Sequence, residues 1–406
     1  MEQIMKYVVI LGDGMADYPQ EKLGGKTPLM LAKKPYTDGL AKISETGLCK
    51  TIPDGMKPGS DVANLSVLGY DPRACYTGRS PLEAASIGIN LKDTDVTARA
   101  NLVTLSDEEK YEDKTMIDYS AGEISTEEAK ILIGYLAERL NDGKRKLYAG
   151  ISYRHCFVTD CGEIAGDLTP PHDITGKPVK TYLPKSEAGK VYLDIMKRSA
   201  ELLKNHPVNL ARIKAGKNPA NSLWFWGEGT KPALQNFTER YGISGGMISA
   251  VDLLKGIGKL AGMRVIEVNG ATGNYDTNFS GKAAACLDAL KELDFVYIHM
   301  EAPDECGHHG DAEHKIYSIE QIDEKVVAPV CEELKKRGEP FRVLITPDHP
   351  TPLSVMTHVG DPVPYIIYDS GKQVRSGANA YDESEAAKTG VFIDGGVNLM
   401  KRFLQK

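Results

Sequence analysis

The chain has 406 residues, 41% of them hydrophobic and 26% charged, and 49 Lys and Arg stand against 56 Asp and Glu for a formal net charge of −7. That length accommodates two cores of ordinary size, and that apolar content excludes wholesale disorder. The acidic balance argues against a general nucleic-acid binder, which needs a basic excess, and leaves room for a local basic pocket around a small anion. The longest apolar runs, such as Tyr7 to Leu11, are strand-sized and far short of the ~20 residues of a membrane span. The N-terminus enters a strand and an acidic turn directly, without the apolar stretch and cleavage site of a leader. Seven cysteines, an odd number with no C-x-x-C pair, suit reduced thiols. A cytoplasmic protein without a membrane partner is the expectation.

In chain order, Lys6 to Leu11 (KYVVIL) is a short β-branched run ending in Gly12-Asp13-Gly14, which predicts a buried strand. From Pro28 to Thr46 the apolar spacing is helical, through Leu29, Leu31, Ala32, Leu40 and Ile43, and Pro35 splits the stretch into two short helices. Asp61 to Leu68 reads as a helix beginning just after Gly59-Ser60. Between Pro81 and Ser244 the segments look shorter and more polar, punctuated by turn signals such as Thr169-Pro170-Pro171-His172 and Gly176-Lys177-Pro178. Further along, Met263 to Val268, Phe295 to Met300, Arg342 to Thr346 and Val363 to Tyr368 are strand-like. Helical patterns lie over Ala283 to Leu293, Ile316 to Lys336 and Val397 to Leu404. Alternating apolar strands and helices predict a mainly parallel sheet covered on both faces. The expected organisation is a discontinuous main domain, 1–80 plus 245–406, with a smaller α+β domain, 81–244, inserted into it.

Three of the strands end in polar turns rich in Asp and His. YVVIL leads to Asp13, FVYIHM leads to Asp304 and His308, and RVLIT leads to Asp348 and His349. In an open parallel sheet ligands sit outside the carboxyl ends of the strands. Six of the nine histidines (His299, His308, His309, His314, His349, His358) fall between positions 299 and 358. Each alone reads as a cap or a solvated loop residue; together at strand ends they point to a site for borderline divalent metals. Two nucleotide motifs fail on spacing. The third glycine of a dinucleotide fingerprint after Gly12-Asp13-Gly14 is replaced by Asp17, and the first glycine of a P-loop ending at Gly25-Lys26-Thr27 is replaced by Gln20. Ser60 opens a helix after Pro58-Gly59; in isolation it reads as an N-cap, but beside a metal site it becomes a candidate nucleophile.

These residues, with His358 and the blocks Tyr76-Thr77-Gly78-Arg79-Ser80-Pro81, Ser152-Tyr153-Arg154-His155, Thr169-Pro170-Pro171-His172-Asp173 and Met247-Ile248-Ser249-Ala250-Val251-Asp252, resemble the alkaline phosphatase superfamily. Within it, the chain resembles end to end the archaeal-type, 2,3-bisphosphoglycerate-independent phosphoglycerate mutases. The resemblance implies an alkaline-phosphatase-like α/β fold with the insert as substrate lid. It implies two divalent metals, Mn²⁺ in first place with Zn²⁺ or Mg²⁺ as alternatives, and no 2,3-bisphosphoglycerate. Asp304, His308 and His358 would hold one metal; Asp13, Ser60, Asp348 and His349 would hold the other, with Ser60 as the phosphorylated nucleophile. The reaction implied is an isomerase's interconversion of 3- and 2-phosphoglycerate, a glycolytic step. The candidates for holding this small anionic substrate are Arg79, Arg99, Arg154, Arg212 and Lys217, with Lys214 beside them and His155 as a proton donor or a structural histidine. A homoserine kinase on the same metal and serine core, a phosphatase or phosphopentomutase, and a catalytically dead metal-binding module remain alternatives.

Overall fold

A computed structural model describes residues 5–405. In chain order their strands are β1 (Lys6–Gly12), β2 (Glu45–Lys50), β3 (Val96–Leu105), β4 (Met116–Asp118), β5 (Arg145–Ile151), β6 (Arg154–Thr159), β7 (Ser222–Thr230), β8 (Gly245–Ile248), β9 (Arg264–Ile266), β10 (Phe295–Met300), β11 (Phe341–Thr346), β12 (Val363–Asp369) and β13 (Phe392–Asp394). The chain divides into two compact units, one reaching to Tyr76 and resuming at Ala233, the other spanning Thr77–Pro232.

The first unit is built on an eight-stranded sheet in the order β13-β2-β12-β11-β1-β10-β8-β9. Strands β11, β1, β10, β8 and β9 run parallel; β12 is antiparallel to both β11 and β2. Val8 to Leu11 are wholly buried, as a central strand covered on both faces requires. On one face Val8, Ile10, Ile298, Val343 and Ile345 meet Ala283, Cys286, Ile319, Val327 and Val330 from the covering helices. On the other, Tyr7 stands edge-on to Phe403 at 5.6 Å, and the Tyr297 hydroxyl donates to Asn64 on the helix Ser60–Val67 at 2.6 Å.

The second unit is α+β. Its sheet is antiparallel: β3 pairs with β4, β6 and β7, and β5 closes the far side of β6. Leu102, Leu136, Phe157, Ile195 and Trp224 share its core with the helices Thr126–Leu140 and Glu187–Leu203. The segments here are longer than the turn-rich sequence predicts: β3 runs for ten residues, all buried, and those two helices for 15 and 17.

The unit boundaries fall after Tyr76 and Pro232 rather than at 80/81 and 244/245. Residues 233–244 stay with the first unit because Phe237 packs on Phe295 of β10 at 4.7 Å and the Tyr241 hydroxyl donates to the Leu68 carbonyl at 3.1 Å. The long helix expected from Ile316 to Lys336 is interrupted. Helix Ala312–Ile322 passes through a π-turn, Asp323–Val327, into Ala328–Arg337. Pro329 explains it, since a proline inside a helix removes an N–H and collides with the preceding turn, and a π-bulge relieves both. Pro35 acts as expected, opening the second of two short helices, Pro28–Leu31 and Pro35–Ala41.

Candidate active site

The three strands that end in Asp- and His-bearing turns are neighbours in the sheet, in the order β11-β1-β10, and all run the same way. Their carboxyl ends therefore meet at one edge. Asp13 follows β1. Beyond β10 the helix Ala302–His308 begins with Pro303 in its first turn, and the four-residue spacing of Asp304 and His308 puts both on one face. Asp348 and His349 follow β11, and His358 returns on the loop before β12.

Two triads result. The ligand atoms of Asp304, His308 and His358 lie within 4.8 Å of one another, as do those of Asp13, Asp348 and His349. In the first, His308 Nε2 is 3.3 Å and His358 Nε2 3.5 Å from the Asp304 carboxylate. In the second, His349 Nε2 is 3.5 Å from Asp13 and 3.4 Å from Asp348. The second triad is buried throughout. Burial, then the Asp348 and Asp304 carboxylates, push Asp13 well above the ordinary carboxylate range. Desolvation lowers His349, so its neutral, ligating form is favoured.

These residues fit divalent cations. Asp13 Oδ1 is buried and accepts no hydrogen bond among the described residues, an orphan that a cation satisfies. The Nε2 atoms of His308 and His358 face each other at 2.9 Å, a contact two neutral imidazole lone pairs do not favour on their own. Mixed carboxylate and imidazole donors suit Mn²⁺ or Zn²⁺ better than Mg²⁺ or Ca²⁺.

Ser60 is the first residue of its helix, not the cap. The N-cap position belongs to Gly59, which has no side chain to cap with, and Asp61 Oδ1 accepts from the Val62 N–H at 2.8 Å. The Ser60 Oγ instead lies 3.1 Å from His349 Nε2, at the edge of the second triad.

In the second unit, Arg79 and Arg99 each reach a different oxygen of Glu83, at 2.8 and 2.9 Å. These two and Arg154 hold the Glu83 carboxyl below its ordinary value despite its burial. Arg99 also lies over the Trp226 ring at 4.0 Å. Three cations thus surround one carboxylate. The other substrate candidates stand elsewhere. Strand alternation turns His155 away from Arg154 and toward Ala98, Ala100 and Phe157, on the core face. Its Nδ1 accepts from Gly150 N–H at 3.0 Å, and burial lowers its pKa to about 3, so the proton-donor role is withdrawn in favour of the structural one. Arg212 is buried and committed to Glu128 and to the carbonyls of Ala121 and Asn218. Lys217 is exposed on the turn after the helix Pro207–Lys214, which also carries the exposed Lys214.

Comparison with known proteins decides the family. The sequence profile described as 2,3-bisphosphoglycerate-independent phosphoglycerate mutase matches residues 41–209. A Methanosarcina barkeri protein of that description is 52% identical over 95% of both chains, and one from Methanothrix thermoacetophila is 50% identical over 98% of this chain and 99% of its own. The chain belongs to the 2,3-bisphosphoglycerate-independent phosphoglycerate mutases. Among solved structures, a Pyrococcus horikoshii protein superposes with a TM-score of 0.83 at 30% identity, covering 99% of this chain and 98% of its own. The cofactor-independent phosphoglycerate mutase of Thermoplasma acidophilum superposes at 0.68 and 26% identity, covering 99% of each.

Further residues of this family member shape the site: Asn64 and Tyr297, which carry no motif in the sequence, and His299, one of the six clustered histidines. Asn64, one helical turn after Ser60, donates to the Ser60 carbonyl and to Asp348 Oδ2, both at 2.8 Å, and accepts from Tyr297. His299 Nε2 is 2.8 Å from Asp13 Oδ2, and its Nδ1 is 3.1 Å from the Ser249 hydroxyl. Burial lowers His299 to about 3, so it is neutral and donates to Asp13. For Tyr297 the signal is polarity inside an apolar strand, which His299 shares: both alternate with Val296, Ile298 and Met300 along β10, and the latter three enter the core.

Proposed function

We propose that the chain interconverts 3-phosphoglycerate and 2-phosphoglycerate through a phosphoserine at Ser60, with Asp304, His308 and His358 holding one dication and Asp13, Ser60, Asp348 and His349 the other. The observation that carries this reading is the Ser60 Oγ at 3.1 Å from His349 Nε2, beside a buried triad with an orphaned carboxylate oxygen. Bound dications would lower the pKa of the serine hydroxyl and neutralise charge on the phosphoryl oxygens. The mixed carboxylate and imidazole donors support Mn²⁺ in first place, with Zn²⁺ the alternative.

The chain's own groups supply the rest. The helix that begins at Ser60 presents the backbone N–H groups of its first turn, those of Ser60 and Asp61, which suit phosphoryl oxygens; the Val62 N–H is taken by Asp61. Asn64 fixes the Ser60 carbonyl and Asp348 together, so nucleophile and ligand share one support. Ser60 Oγ forms its bond to phosphorus as the bond from phosphorus to the substrate's C3 oxygen breaks, and the proton given up by the serine hydroxyl ends on that oxygen. The glycerate is retained and turned, and its C2 hydroxyl oxygen then takes the phosphoryl group back while its proton returns to Ser60 Oγ. Arg79, Arg99 and Arg154 are the anchors assigned to the substrate's phosphate and carboxylate, because they are the cations gathered around one carboxylate. In this reading the second unit is the substrate lid, which keeps water from the phosphoserine. Free cysteines throughout support action in the cytoplasm.

A coupled assay tests the reading. Purified protein loaded with Mn²⁺ is expected to turn 3-phosphoglycerate over, and to give no ADP from homoserine with ATP. No turnover of phosphoglycerate with two ions bound would overturn it.

A further inference from the structure

The two triads adjoin, since the rings of His349 and His358 lie 4.1 Å apart at an interplanar angle of 38°. One side chain outside both ligand sets touches a member of each. The Thr351 hydroxyl donates its proton to Asp304 Oδ1, in the first triad, and its Oγ1 lies 3.3 Å from His349 Nδ1, in the second. A hydroxyl has one proton to give. Having given it to Asp304, the Thr351 oxygen can only accept from His349, so Nδ1 of that ring carries the hydrogen. His349 Nε2 is left with its lone pair, facing Asp13, Asp348 and Ser60.

Thr351 is held on every side. It is fully buried and flanked by Pro350 and Pro352, which restrict the backbone. Its carbonyl accepts from Lys315 Nζ at 2.8 Å, and the same ammonium pairs with Asp17 Oδ2 at 2.8 Å, with both side chains wholly out of solvent. Asp17 also accepts from Leu353 N–H at 3.2 Å, so one ion pair grips the chain at two points, two residues apart. A buried ion pair is a weak source of stability, because desolvation offsets its attraction; holding this segment in place is what it does here. Two glycines make the room. A Cβ at Gly14 would stand 2.6 Å from Thr351 Oγ1, and one at Gly307 would stand 2.5 Å from the Thr351 carbonyl oxygen.

We propose that Thr351 is a positioning residue that ties the two metal sites together, so that loss of its hydroxyl weakens binding of both ions although Thr351 ligates neither. This rests on the two-metal reading above. The test is Mn²⁺ binding to the full chain after chelation, read from the electron paramagnetic resonance signal of free Mn²⁺, for wild type, Thr351→Val and Thr351→Ser. Wild type is expected to bind two ions. Thr351→Val should bind both more weakly, by about 10- to 100-fold, the usual cost of losing an outer-shell partner. Thr351→Ser keeps the hydroxyl and should rescue both steps, which a role in packing alone would not produce. Thermal unfolding of the chelated proteins checks that Val and Ser variants are equally folded. If the Val substitution unfolds the chain, the Ser variant carries the test, since weakened binding in a folded Ser variant overturns the proposal. Two ions bound as tightly to the Val variant as to wild type, or only one step weakened, would also overturn it while leaving the two-metal reading standing. A wild-type chain that binds fewer than two ions would remove both.

Discussion

The Nε2 atoms of His308 and His358 stand 2.9 Å apart, and His308 Nδ1 lies 3.1 Å from the Met356 carbonyl. That carbonyl takes the Nδ1 hydrogen, so a neutral His308 aims its lone pair at His358. Without a cation the favourable solution is a proton. The hydrogen bond to Asp304 raises His308 from 6.5 to about 9.

The pH dependence follows from that shift. A histidine whose pKa is raised by folding adds stability that is complete below its unfolded value and disappears as pH rises through the folded one. Chelated protein should therefore lose thermal stability between pH 6.5 and about 9. Asp13, raised by burial and by its carboxylate neighbours, shifts stability in the same sense. Mn²⁺ replaces the proton, so the gain in Tm on adding it should grow over the same interval. Melting curves at the two pH values, with and without Mn²⁺, check this. A chelated protein equally stable at both, with the same Mn²⁺ increment, would contradict it. Activity should vanish on chelation and return with Mn²⁺.

Gly14 is required by contact as well as by conformation. Its φ is +60°, and a Cβ there would lie 2.5 Å from Asp304 Oδ1 and 2.7 Å from the Asp304 Cα. Gly24, at +66°, has open space around it. Gly24→Ala should cost only the left-handed backbone penalty, about 1 kcal/mol, whereas Gly14→Ala should cost more and abolish Mn²⁺ uptake. Denaturant unfolding and metal binding on the two variants make the comparison.

Asn64→Leu removes three hydrogen bonds and leaves the buried Tyr297 hydroxyl without its acceptor. The expected loss is about 1–3 kcal/mol of stability and about 10- to 100-fold in metal affinity or turnover. Steady-state kinetics with Mn²⁺ held saturating separates the metal effect from the effect on Ser60.

What was legible in the sequence was the strand grammar and the polar turns. β1, β10 and β11 are apolar enough to declare themselves, and their order in the sheet delivers Asp13, Asp304, His308, Asp348 and His349 to one edge. Strand β2 (ETGLCK) was missed because it carries no alternation and follows a helical stretch directly. The supporting residues were hidden for another reason. Thr351, Asn64 and Lys315 are ordinary in their local context, and their partners lie 47, 284 and 298 residues away. The arginines were legible as cations, but which of them are committed internally depends on burial: Arg212 is buried with Glu128 and two carbonyls around it, whereas Arg154 is exposed. Ser60 was legible as lying at a helix start; it sits inside the first turn, not at the cap, and its hydroxyl faces His349.

In the proposed reaction everything turns on Ser60 as the phosphoryl carrier. The most direct measurement is mass spectrometry of Mn²⁺-loaded protein quenched within milliseconds of mixing with 3-phosphoglycerate, for wild type and Ser60→Ala. Phosphate is expected on the wild-type peptide containing Ser60 and none on the variant. With no cap to lose, the variant should keep its fold while its turnover falls by about three or more powers of ten, as expected when a covalent step is deleted. Phosphate on any other residue, or a Ser60→Ala variant that keeps more than about a hundredth of the wild-type rate, would contradict it.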